Sequence, residues 1–218
     1  LLEAVNDQFP QHAIGRADII STWSGVRPVI GSDRSKDPSK ERRNHAVWVD
    51  KGLVTVTGGK LTTFRKIALD AIGAATGTLG KLSIVEPGEA VFANTSISAA
   101  AIGIDDDSRA LRLAGRYGAA VKELFAGADG AERTNIGGTL FCLAECRWAA
   151  RNEAVVHLDD LLLRRTRLGS LLRAGGEDIF AALEAICREE LHWDQARWQA
   201  ELARYHEIWH RHYYLPPS

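Results

Sequence analysis

Val54-Thr55-Val56-Thr57-Gly58-Gly59-Lys60-Leu61-Thr62-Thr63-Phe64-Arg65 carries the chain from a strand, across two glycines, into a helix. The β-branched, apolar run over residues 53–57 suits a strand. Upstream, residues 46–49 form a second short strand, and Asp50-Lys51-Gly52 has the chemistry of a hairpin turn. Downstream, Phe64, Ile67, Ala68, Ala71 and Ile72 repeat at helical spacing and predict a helix over residues 61–75. A helix start exposes unpaired N–H groups and partial positive charge, and glycines let a ligand approach that backbone closely. With Lys60 added, the segment suits an anionic or electron-rich group. It is not a Walker A loop, because Val54 stands where the first glycine should be and Leu61 where Ser or Thr should follow the lysine. The plainer alternative is an ordinary strand-turn-helix connection.

Further out, the chain reads as two unlike parts. Residues 18–30 alternate weakly and predict a strand broken near Gly25 and Pro28, and residues 31–43 form a charged loop. Residues 76–94, with their glycines and Pro87, read as linker. From there the pattern is helical. One helix is expected from an Asp105 cap to about Ala126, with Leu111, Ala114, Val121 and Leu124 inward. A second begins at Thr139, with Leu140, Leu143, Ala144, Trp148 and Val155 on one stripe. A short one starts at Asp159 or Asp160, and another covers residues 177–191. Asp194 caps the last helix, Trp193 and Trp198 are spaced as a hydrophobic staple, and Trp198, Leu202, Tyr205, Trp209 and Tyr213 share one face. The fold class is therefore an α+β portion followed by an all-α helical bundle. The expected divisions are residues 1–77, a linker over 78–95, and a helical domain over 96–218.

With 218 residues, 45% hydrophobic and 25% charged, the chain is globular and needs no staple or metal to fold. A net charge of -1 offers no footprint for nucleic acid. Three cysteines, Cys142, Cys146 and Cys187, read as reduced thiols of a cytosolic compartment. No uncharged run is long and apolar enough to span a membrane. The chain has no Met, even at position 1, which points to part of a longer gene product.

Other chemistry-bearing residues are fewer. Arg27, in Thr22-Trp23-Ser24-Gly25-Val26-Arg27-Pro28, is an arginine among apolar residues and suits an anion or a structural ion pair. His206-Glu207-Ile208-Trp209-His210 fits the zinc protease pattern, but a catalytic zinc needs a third protein ligand and the helix has an aromatic packing face, so no metal is assigned. Cys142 and Cys146 read as buried thiols, and Arg164-Arg165-Thr166-Arg167 as solvated surface or intrachain ion pairs.

Taken together, Ser24-Gly25-Val26-Arg27-Pro28, Pro38-Ser39 and Gly58-Gly59-Lys60-Leu61-Thr62-Thr63-Phe64-Arg65-Lys66 resemble the flavin-dependent glycerol-3-phosphate dehydrogenases and the related oxidases. Arg116-Tyr117-Gly118, Ala144-Glu145-Cys146-Arg147-Trp148 and the run Asp159-Asp160-Leu161-Leu162-Leu163-Arg164-Arg165-Thr166-Arg167-Leu168-Gly169 resemble that family's carboxy-terminal domain. The family's glycine-rich dinucleotide fingerprint is not in this sequence. The resemblance thus implies the carboxy-terminal part of a longer FAD enzyme, with residues 1–77 completing the flavin and substrate domain.

The resemblance also implies an activity: oxidation of glycerol 3-phosphate to dihydroxyacetone phosphate, with electrons passed through FAD to a quinone. Rival readings are an oxidase that forms hydrogen peroxide and a non-catalytic helical interaction module. Arg27 matches the substrate-anchoring arginine, and Lys60 the lysine beside flavin and substrate. Gly58, Gly59, Lys60, Leu61 and Thr62 would contribute to the cofactor site. The family's base belongs to a segment outside this chain, so none is assigned; His45, at a loop-to-strand junction, could approach the site. The implied location is the cytoplasm or, peripherally, the cytoplasmic face of the inner membrane. A homo-oligomer is compatible with the family.

Overall fold

A computed structural model describes residues 1–26, 44–80, 86, 88–91, 97–104 and 106–215. These residues are mostly helical, with one two-stranded sheet. The chain divides into two compact units. One comprises Leu1–Ser24 with Ala93–Ser218, and the other is Gly25–Phe92.

The Gly25–Phe92 unit is built around a hairpin. Strands β1 (His45–Asp50) and β2 (Leu53–Gly58) pair antiparallel, in a register running from His45 opposite Gly58 to Asp50 opposite Leu53. Lys51 and Gly52 form the two-residue turn, both with positive φ as the right-handed strand twist demands. Gly58 and Gly59 end β2, residues Leu61–Thr63 make one 3-10 turn, and an α-helix follows over Phe64–Leu79. None of this unit's described residues is fully buried, and Trp48, Val49, Leu53, Leu61 and Phe64 are exposed.

The other unit opens with helix α1 (Leu2–Gln8); the Phe64–Leu79 helix is α2 in chain order. The expected strand over residues 18–30 does not form among its described residues: Asp18 ends a 3-10 turn, 19–26 join no strand, and 27–30 lie outside the described residues. Instead, Ser21 Oγ donates to Ser170 O at 2.8 Å, Thr22 N to Tyr213 O at 2.8 Å and Thr22 Oγ1 to Tyr214 O at 2.9 Å. Residues 1–24 are thereby tied to the helical unit rather than to the hairpin with which the sequence pattern groups them.

The expected helix over 105–126 is two helices, α3 (Asp107–Tyr117) and α4 (Val121–Phe125), separated by a 3-10 turn at Gly118–Ala120. Asp105 lies outside the described residues, and the cap is Asp106, whose Oδ1 accepts from Arg109 N at 3.0 Å. Leu111, expected inward, is exposed; Leu113, Ala114, Val121 and Leu124 are buried. α5 spans Leu143–Asn152 and starts at Cys142 rather than Thr139, because Glu145 Oε2 accepts from Cys142 N at 3.1 Å. Where a short helix was expected, Asp160–Arg165 form a π turn: Thr166 N reaches back five residues to Leu161 O at 3.0 Å, and Thr166 Oγ1 joins the same carbonyl at 2.7 Å. α6 (Leu168–Leu171), α7 (Phe180–Leu191) and α8 (Gln195–His212) complete the unit.

α5 bridges two apolar clusters. Cys146 and Ala149 join Leu158, Leu161, Leu162, Leu168, Leu183, Ile186, Trp198, Tyr205 and Trp209, whereas Ala144 joins Ile102, Leu113, Val121, Leu124 and Phe125. The final helix follows its sequence signals closely. Asp194 Oδ1 caps it through Arg197 N at 2.7 Å, and the Trp193 and Trp198 rings lie 6.5 Å apart. Trp198, Tyr205 and Trp209 are buried, with Leu202 and Tyr213 packed beside them. Gly169 meets this stripe with no room for a side chain: a methyl group there would stand 2.2 Å from Tyr205 Oη and 2.9 Å from Leu163 Cδ2. Gly169→Ala is expected to destabilise the unit by about 1–3 kcal/mol through overpacking, read as a lower midpoint in urea. An unchanged midpoint would mean that Tyr205 repacks freely.

Candidate functional site

The turn from β2 into α2 brings together every cofactor-site residue expected from the sequence. Gly58, Gly59, Lys60, Leu61 and Thr62 are consecutive, and all but Gly59 are exposed. Arg27 lies outside the described residues. Gly59 has φ +90°, and a methyl group on it would stand 2.5 Å from Ile67 Cδ1 and 3.2 Å from His45 Cβ. Only glycine satisfies both the backbone angle and that space. Thr63 closes the turn: its N and its Oγ1 both donate to Lys60 O at 2.9 Å, and Lys60 N donates to Thr63 Oγ1 at 3.3 Å. Among the described residues no carboxylate pairs with the Lys60 ammonium. An ammonium at a helix start suits an anion.

One side chain near this turn is only weakly signalled by sequence. His45 heads β1 directly opposite Gly58, and its Nε2 lies 2.8 Å from Asp70 Oδ2 on α2. Lys66 Nζ reaches the same carboxylate at 3.1 and 3.3 Å. The hydrogen bond from Lys66, then that from His45, holds the Asp70 carboxyl below its ordinary range. The i,i+4 spacing of Lys66 and Asp70 is visible in the sequence; the cross-element bond to His45 is not.

The helical unit holds several ionic networks of structural character. Glu145 is fully buried and accepts from Arg112 Nη2 at 2.5 Å and Tyr117 Oη at 3.0 Å. Burial and Glu145 push the Tyr117 phenol up. His157, Asp159 and Glu201 draw close enough to hold a cation. Their carboxylates, however, are already met by arginines: Arg164 and Arg204 on Asp159, and Arg197 on Glu201 at 2.7 Å. Arg164 also pairs with Asp160 at 3.0 Å, so for that member of the basic cluster the ion-pair reading holds. His206 and His210 face a cavity lined by Arg173, Glu177, Trp209 and Tyr214, with His206 Nε2 3.8 Å from Glu177 Oε1. Cys142, Cys146 and Cys187 are buried and unpaired, and burial raises their thiols, Cys187 to about 12.

A third network joins α5 to α7: Arg147 bonds Glu132, Glu189 and Glu190, and Arg151 bonds Glu190 at 2.6 Å. The Arg151 guanidinium first, with Arg147, lowers the Glu190 carboxyl to about 2. Its stabilisation is therefore complete above the ordinary value of 4.5 and fades as pH falls towards about 2, because the unfolded chain takes up the proton first. Glu190→Gln should lower the melting temperature at neutral pH and flatten its fall across that acid window. A profile as steep as that of the unaltered chain would remove Glu190 from the acid response.

A family model described as the C-terminal domain of alpha-glycerophosphate oxidase matches residues 86–198, just over half of the chain. The aerobic glycerol-3-phosphate dehydrogenase of Staphylococcus saprophyticus is 31% identical over 186 residues, covering 76% of this chain and 33% of its own. Those of Staphylococcus haemolyticus and Staphylococcus aureus are each 33% identical over 187 residues, with the same coverage. The chain thus spans about a third of the length of these curated relatives. On that match over more than half of its length, the chain belongs to the family of the alpha-glycerophosphate oxidase C-terminal domain.

Proposed function

We propose that this chain is the carboxy-terminal part of an FAD-dependent glycerol-3-phosphate dehydrogenase that oxidises glycerol 3-phosphate to dihydroxyacetone phosphate and passes electrons to a quinone. The observation that carries the reading is the similarity to the staphylococcal aerobic glycerol-3-phosphate dehydrogenases over 76% of the chain. The turn at Gly58–Lys60 supports it, because its donor set suits an electron-rich partner: an exposed ammonium at the start of a helix. The exposed apolar residues of the Gly25–Phe92 unit are what a piece of a larger flavin and substrate domain would present.

FAD, when bound, supplies the two-electron acceptor for the substrate hydride. Lys60 would hold positive charge beside the flavin and the substrate, where negative charge grows during the reaction. The N–H groups of Leu61 and Thr62 would orient the same edge. Arg27 would grip the substrate phosphate with its planar fork, which a lysine cannot reproduce. No described helix is long and apolar enough to cross a membrane, and a peripheral contact is the proposed route to the quinone.

The test uses the full-length protein, purified with its flavin and given glycerol 3-phosphate with a water-soluble quinone analogue or with oxygen alone. Reduction of the quinone without peroxide supports the dehydrogenase. Peroxide formed in step with substrate use would make it an oxidase, and flavin-free protein would leave only a helical interaction module.

A further inference from the structure

The His45–Asp70 bond spans the two elements that flank the Gly58–Lys60 turn. His45 is the first residue of β1, across the ladder from Gly58, and Asp70 lies on α2 behind the turn. Between them sits Gly59, walled by His45 Cβ on the strand side and Ile67 Cδ1 on the helix side. A methyl group on residue 59 would have to displace one of those walls, so the turn runs close beside both β1 and α2. The 2.8 Å bond from His45 Nε2 to Asp70 Oδ2 joins the same two elements. Lys66, one helical turn back on α2, contacts the same carboxylate oxygen at 3.1 Å. His45 is largely sheltered, with 16% of its side chain exposed, whereas Asp70 is 40% exposed. A tie to so exposed a carboxylate adds little to stability. Its value lies in geometry.

We propose that His45 and Asp70 form a positioning clamp that sets the height of the Gly58–Lys60 turn and so delivers the Lys60 ammonium to the flavin edge. Both are positioning residues, acting through Lys60. The clamp rests on the proposed function, in which Lys60 faces the bound flavin. Misplacing such a charge by about 1 Å is enough for a large rate loss without loss of fold.

The experiment compares His45→Gln, Asp70→Asn, the double variant and Lys60→Ala in the full-length holoenzyme. The readouts are the midpoint potential of the bound flavin, kcat and KM for glycerol 3-phosphate, and the melting temperature. Removing positive charge from the flavin edge lowers the potential, so Lys60→Ala should lower it. His45→Gln and Asp70→Asn should each move it the same way by a smaller amount and reduce kcat about tenfold, with melting temperature held. The double variant should be no worse than either single one, because both break one bond. Asp70→Asn, on a part-exposed helix face, keeps the test open if His45→Gln folds poorly. Unchanged potential and kcat in Asp70→Asn, beside a strong Lys60→Ala effect, would overturn the clamp alone. A silent Lys60→Ala would overturn the flavin reading of the turn, and the clamp with it.

Discussion

Trp209→Ala is expected to cost the helical unit about 3–5 kcal/mol, a large share of what holds a domain of this size together. Trp209 is 4% exposed in the main apolar cluster. Its Nε1 donates to Gly169 O at 2.7 Å, and its ring lies against Tyr214 at 5.7 Å between centroids. Truncation leaves a cavity and also strips a buried carbonyl of its donor. The backbone of Gly175 already approaches this ring closely, since a methyl group there would stand 3.1 Å from it, so the cavity has a rigid wall that resists collapse. Leu111→Ala is the control: at 75% exposure it should change stability by no more than about 0.5 kcal/mol. Urea unfolding of the two variants measures both. A loss below about 1 kcal/mol for Trp209→Ala would mean that α8 closes over the gap, which the wall at Gly175 argues against. A chelator should leave the midpoint of the unaltered chain in place; a large drop would revive the zinc reading of His206 and His210.

Lys60→Ala in the full-length enzyme should lower kcat/KM for glycerol 3-phosphate about 10²–10³-fold, the loss of roughly 2.7–4 kcal/mol that follows removal of one preorganised charge from a reacting centre. Its folding cost should be small, because Lys60 is exposed and its backbone, not its side chain, makes the turn's hydrogen bonds. Steady-state kinetics with flavin content measured on the same sample checks this. Full activity with full flavin occupancy would take Lys60 out of the site. Normal kinetics per bound flavin with reduced occupancy would make it a cofactor-retention residue only.

Features confined to a few neighbouring residues are legible in the sequence. The Lys51-Gly52 turn, the break at Gly58-Gly59, the Asp194 cap, the Trp193–Trp198 staple and the aromatic face of α8 each depend on residues within a few helical turns of one another, and local sterics and periodicity decide them. The glycine turn at Gly58-Gly59 that precedes Lys60 is legible for the same reason. Harder to read are places where tertiary packing overrides a local signal. Thr139 has the side chain of a helix cap, yet α5 starts at Cys142, where the buried Glu145 accepts from Cys142 N while meeting Arg112 and Tyr117. Leu111, expected inward, is exposed because α3 packs through Leu113 and Ala114 instead.

Local sequence is thus enough for the hairpin, the glycine turn that presents Lys60, the helical character of the second part, and the family resemblance carried by its motifs. Tertiary packing settles what depends on residues far apart in the chain. Thr22 bonds a carbonyl 192 positions away, and that bond, not any local pattern, assigns residues 1–24 to the helical unit. Gly169 is required by the hydroxyl of Tyr205, and His45 finds its partner 25 positions on, in Asp70. A periodic pattern records which face of an element is apolar. It carries no record of which distant polar group that face will meet, because such a meeting is fixed only when the elements pack and each buried donor and acceptor must be satisfied at once.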